Sequence, residues 1–109
     1  MKIIADVVNE LSRHNYYLVI ARWELKEGNS EWAIAIIDQY RPHNLQADGV
    51  RFFLVAHDNE DPNHILFYEA YETEAHYKTH VASEAFQRYI IRESLPLVAK
   101  RTLNNYTLL

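Results

Sequence analysis

Apolar residues recur along this chain with two periods, and each change of period marks an element. Ile4, Val7, Val8 and Leu11 fall at helical spacing, so residues 1–15 predict a short amphipathic leader helix. Tyr16 to Leu25 is rich in β-branched and aromatic residues and predicts a strand with Val19, Ala21 and Trp23 on one face. Gly28-Asn29-Ser30 supplies a turn and an N-cap. From Ser30 the stripe Ala33, Ile36, Ile37 and Tyr40 predicts a helix. Pro42 has no N–H to donate and is expected to end or kink it, leaving 43–48 as a turn or loop closed by Gly49.

Val50 to His57 reads as a second strand, and 58–63 is a polar turn cluster. Residues 64–71 alternate as a third strand, so the two form an antiparallel hairpin. Thr73 is placed to cap a short helix ending near His80. Ser83 is placed to cap another, with Phe86, Tyr89 and Ile90 inward, and Pro96 closes that region. Lys100 to Leu108 predicts a last strand with Leu103 on one face and Tyr106 and Leu108 on the other. The order β-α-β-β-α-β specifies an α+β, ferredoxin-like domain over 16–109: a four-stranded antiparallel sheet with helices on one face.

The third strand carries the chemical anomaly. Ile65, Phe67, Glu69 and Tyr71 share one face, while Leu66, Tyr68 and Ala70 share the other. Both rows are largely apolar, so the strand is expected to be covered on both sides. A carboxylate in such a row costs several kcal/mol, roughly, unless something pairs with it. His80 is the nearest candidate partner: a general base oriented by Glu69, with Tyr71 as hydrogen-bond donor. Pairing of Glu69 with an arginine such as Arg22 is the alternative. Trp23, Phe53, Phe67 and Phe86 would line a pocket around a ligand, or simply fill the core. His76 and His80 share a helical face at i, i+4, but the glutamate of the zinc-protease helix motif is missing, so no metal is expected. Nucleophilic-serine elbows and phosphate-cradling glycine loops have no counterpart in a chain with two glycines.

Composition narrows the classes further. At 109 residues and 49% hydrophobic, the chain suits one domain with one core. A net charge of −4 argues against a nucleic-acid surface. Zero cysteines exclude thiolate chemistry and fit a reducing compartment. No apolar run is long enough to span a bilayer and no secretion-type leader is evident, so a cytoplasmic protein is expected. Eight tyrosines, four phenylalanines and two tryptophans exceed what plain packing requires.

A glycine leads into Val50-Arg51-Phe52-Phe53. Asp58-Asn59-Glu60-Asp61-Pro62 and Leu66-Phe67-Tyr68-Glu69-Ala70-Tyr71 follow, then a helix holding His80, then Ser83-Glu84-Ala85-Phe86. In order and spacing this resembles the antibiotic biosynthesis monooxygenase domain, over roughly residues 16–108. The resemblance implies a dimeric α/β barrel, with sheets packed back to back and a pocket in each subunit between sheet and helices. It implies a cofactor-independent monooxygenase that oxidises a small aromatic or quinol-type compound with O2, the deprotonated substrate itself supplying electrons. It places Glu69, Tyr71, His80 and Phe86 at the family's pocket positions. Ala85 stands where relatives often carry a second histidine. Ala21 and Ile90 stand where haem-degrading relatives carry asparagine and histidine, which argues against haem degradation. A non-catalytic ligand-binding or stress-responsive dimer, and an isomerase of a small phosphorylated metabolite, are the rival readings.

Overall fold

The computed structural model describes residues 15–109, so the expected leader helix lies outside the described residues apart from Asn15. The elements are β1 (Tyr17–Leu25), α1 (Ser30–Gln46), β2 (Val50–His57), β3 (His64–Tyr71), α2 (Glu74–Val81), α3 (Phe86–Ser94) and β4 (Val98–Thr107). The four strands form one sheet in the order β2-β3-β1-β4, with every neighbouring pair antiparallel. This is the α+β, ferredoxin-like arrangement that the hydrophobic pattern specifies. No helix among the described residues is long and apolar enough to cross a membrane.

Strand register fixes which side chains meet the helices. Val19 pairs with Glu69, Ala21 with Phe67 and Trp23 with Ile65, while Phe53 lies opposite Glu69 from the other side. These odd-numbered positions face the helix layer. There Trp23, Phe53 and Phe67 pack against Ile37, Tyr40 and Ile90 in the main core. Burying each large apolar side chain contributes about 1.5–3 kcal/mol. The opposite face is also apolar: Leu18 and Ala70 are buried with Tyr16, and Phe52 and Leu108 pack on them. Further out on that face Leu54 and Tyr106 are 53% and 50% exposed.

Capping follows the sequence. Thr73 Oγ1 accepts from the His76 N–H at 3.2 Å, and Ser83 Oγ accepts from the Phe86 N–H at 3.2 Å. Gly49 adopts φ +79°, and a Cβ there would overlap the His76 ring, so this turn requires glycine twice over.

Two helical segments depart from expectation. α1 does not stop at Pro42 but runs on to Gln46. Pro42 is exposed, while Tyr40 and Asn44 on either side of it are buried, so packing of the inner face holds the helix through the missing hydrogen bond. α3 is wound as a π-helix. Its wider turn brings Tyr89, Ile90 and Ser94 all inside. The Leu95 N–H bonds the Ile90 carbonyl five residues back, and Ser94 Oγ donates to the Tyr89 carbonyl at 2.6 Å.

Candidate functional site

Glu69 stands in an apolar row. Val19 and Phe53 flank it on the neighbouring strands, and Phe67 and Tyr71 precede and follow it on its own face. Enclosure by these groups pushes its carboxyl up to about 7. Hydrogen bonding opposes the shift without cancelling it: Tyr71 Oη donates to Glu69 Oε1 at 2.6 Å, and the Asn44 amide also favours the carboxylate. Tyr71 is itself fully buried, and burial beside this acid raises its hydroxyl well above the ordinary tyrosine range. At neutral pH Glu69 is therefore close to half protonated, the condition under which a carboxyl exchanges protons with a ligand most readily.

His80 reaches the same layer from the last turn of α2 and is 3% exposed. Its Nε2 meets the Tyr40 hydroxyl in a very close contact and lies 3.1 Å from Asn44 Nδ2. Asn44 Nδ2 also donates to Tyr40 Oη at 3.2 Å. With the amide in this orientation Nε2 is the acceptor, which assigns the ring proton to Nδ1. His80 Nδ1 and Asn44 Oδ1 are buried with no partner among the described residues. Burial lowers the imidazole to about 4, so it is neutral at physiological pH.

The expected Glu69–His80 pair is thus not a direct contact. Among the described residues Glu69 bonds Tyr71, and His80 bonds Tyr40 and Asn44. Asn44 bonds the imidazole and is near enough to the acid to favour its carboxylate form.

A small cavity of about 40 Å³ opens over Glu69, between the sheet and the helices. Trp23, Phe53, Phe67 and Phe86, the four aromatic residues singled out in the sequence, all line it. The Trp23 and Phe67 rings touch with centroids 4.5 Å apart, tilted 58° to each other. Tyr40 stands edge-on to Phe53 at 5.9 Å, and His80 edge-on to Phe86 at 5.7 Å. His80 and Tyr71 are not among the lining residues and support the wall from behind. Tyr40, Tyr77, Arg101 and Leu103 also line it, with the aliphatic Val19, Ala21 and Ile90. A larger hollow of about 480 Å³ shares Trp23 and Arg101 with this cavity and extends among Arg22, Glu24, His57, His64 and Lys100. Its walls include neither Glu69 nor the buried Tyr40–Asn44–His80 group.

Tyr40, Asn44, Tyr77 and Arg101 are the site residues that sequence reasoning missed. Tyr40 was assigned to a core stripe. Asn44 lies one turn further on, beyond the proline expected to stop the helix; reading α1 through Pro42 would have placed the two polar groups together.

The site is thus a carboxyl among aromatic rings, set between the antiparallel sheet and the helices of a small α+β domain. The family model described as antibiotic biosynthesis monooxygenase matches residues 16–91. The chain belongs to that family. The solved structure of protein SO0527 from Shewanella oneidensis superposes with a TM-score of 0.79 at 22% identity, covering 86% of this chain and 91% of that one. PA3566 from Pseudomonas aeruginosa gives 0.80 at 17% identity, covering 87% and 95%. A third structure, bearing the name antibiotic biosynthesis monooxygenase, gives 0.76 at 20% identity, covering 83% and 95%. At these identities the superpositions establish the fold. No curated protein matches the chain.

Proposed function

We propose that this chain is a cofactor-independent monooxygenase acting on a small phenol or quinol, with Glu69 as the group that takes the substrate's proton. The observation that carries the proposal is the placement of Glu69. It is the one carboxyl lining a largely aromatic and aliphatic cavity, and burial raises it to about 7. In the overall reaction a phenol with a free ring position and one O2 give the quinone and water. One oxygen atom stays on the ring, the other leaves as water, and the substrate supplies all four electrons. The protein's part is to bind the ring, remove the phenolic proton and exclude water. Trp23, Phe53, Phe67 and Phe86 form the ring-binding walls, and Tyr71 holds the carboxyl in place. His80, neutral and tied to Tyr40 and Asn44, acts as a positioning residue in this scheme rather than as the base. The cavity opens towards β4, where Arg101 and Leu103 are exposed, and binding a ring requires these two side chains to move outward.

Oxygen uptake at pH 8 with a panel of phenols and quinols tests the assignment. Glu69→Gln is expected to lower turnover at least a hundredfold, in line with the usual contribution of a general base of roughly 10²–10⁴. Wild-type rates in that variant would remove Glu69 from the mechanism.

The 40 Å³ cavity favours a second reading, a non-catalytic binding protein whose chamber is largely filled by its own side chains. No oxygen uptake with any phenol, together with a thermal shift on adding one, would select it. For either reading we propose a homodimer joined through the sheet face that bears Leu18, Leu54, Ala70 and Tyr106.

A further inference from the structure

We propose that Arg101 selects the ligand of the Glu69 cavity, and that it does so for an aromatic compound carrying an anionic substituent such as a carboxylate. The proposal rests on the reading above that this cavity receives an aromatic ring.

β4 is an edge strand, and its inward-facing residues close the cavity that β1 and β3 floor. Arg101 is the register partner of Trp23, and Leu103 is the partner of Ala21. Arg101 therefore shares the inward face of the sheet with Trp23, and both line the cavity. Arg101 and Glu69 line the same cavity but form no ion pair with each other. Among the described residues the guanidinium has neither a hydrogen bond nor a salt bridge. Arg41, Arg51 and Arg88 each have a carboxylate partner, whereas Arg22 and Arg92, like Arg101, have none among the described residues; of these three only Arg101 lines the Glu69 cavity. Arg101 and the half-buried Tyr77 line the same cavity, and the cation's charge favours that ring's phenolate; Arg101 also borders the larger hollow.

An uncompensated planar cation at the rim of an aromatic chamber is suited to one kind of ligand. Its fork of N–H donors matches a carboxylate in bidentate geometry, and such charge-assisted bonds are about twice as strong as neutral ones. The ring lies against Trp23 and Phe67, its hydroxyl points at Glu69, and its anionic group points back to the rim. The exposure of Arg101 permits it to leave the opening for entry and close over the bound anion. A neutral quinol fits the same walls but leaves the guanidinium without a partner.

Calorimetric titration of the full chain with hydroquinone and with 2,5-dihydroxybenzoate separates the two cases. Wild type is expected to bind the benzoate at least tenfold more tightly. Arg101→Gln should reduce that advantage to less than threefold and leave hydroquinone affinity within twofold, which also shows the variant is folded. Lys100→Gln, its sequence neighbour, should keep the full advantage, which separates a specific guanidinium from general positive charge. Equal affinity for both compounds in wild type, or a preference that survives in Arg101→Gln, would overturn the role of Arg101 alone. Failure of both compounds to bind would overturn the aromatic-cavity reading, and this proposal with it.

Discussion

Glu69 and His80 are displaced from their ordinary titration in opposite directions by the same cause, loss of water. The acid holds its proton more tightly in the folded chain than in the unfolded one. Its contribution to stability is fully present below about 4.5 and is lost as pH rises through about 7. The imidazole holds its proton less tightly when folded, so its contribution is present above about 6.5 and is lost as pH falls through about 4. Thermal melting should therefore show wild type losing stability between pH 5 and 7 more steeply than Glu69→Gln, with the two curves parallel above about 8; parallel curves below pH 7 would contradict a raised carboxyl. Tyr71→Phe removes the hydrogen bond that favours the carboxylate, so it should move the titration of Glu69 further up. Carboxyl-carbon NMR reads that shift directly, and a downward shift would contradict it. Glu69 was legible in the sequence because a charge in an apolar strand row is an anomaly on its face. Its partner was not, because an i, i+2 tyrosine bending back along the strand leaves no periodic trace.

The elements owe their limits to local chemistry that the chain states openly, with two exceptions. Thr73 and Ser83 cap as their positions predict, and Thr73→Ala should cost about 1 kcal/mol of stability by denaturant unfolding. Strand faces were readable because alternation and burial coincide along β1 and β3. The end of α1 was not, since proline's local penalty is outweighed by the buried face on both sides of it. Pro42→Ala restores a donor in an exposed helical position and should raise the melting temperature by several degrees; no gain would mean the helix is not continuous there. The π-winding of α3 has no sequence signature. It arises where Tyr89, Ile90 and Ser94 must all face inward, a spacing no 3.6-residue stripe supplies.

At the scale of the whole molecule, one face of the sheet builds the chamber, and the other carries an apolar surface that the helices do not cover. Leu54→Asp, in the middle of that surface, should convert a dimer into a monomer in analytical ultracentrifugation while leaving the helix-side core intact. An unchanged sedimentation coefficient would place the partner elsewhere. The sheet order and the helix layer followed from the hydrophobic pattern alone, because element order and short connections leave few antiparallel arrangements. The chamber did not, because it depends on where α1 places Tyr40 and Asn44 against β3, and on β4 side chains whose role appears only once the sheet is closed.

The central claim is that a carboxyl kept near neutrality by burial accepts the substrate's proton. The pH profile of oxygen uptake under limiting substrate tests it most directly. Wild-type activity should rise with pH through about 7 as Glu69 ionises, and Glu69→Gln should show a low, flat profile over the same range. A wild-type profile retained in Glu69→Gln would contradict the account.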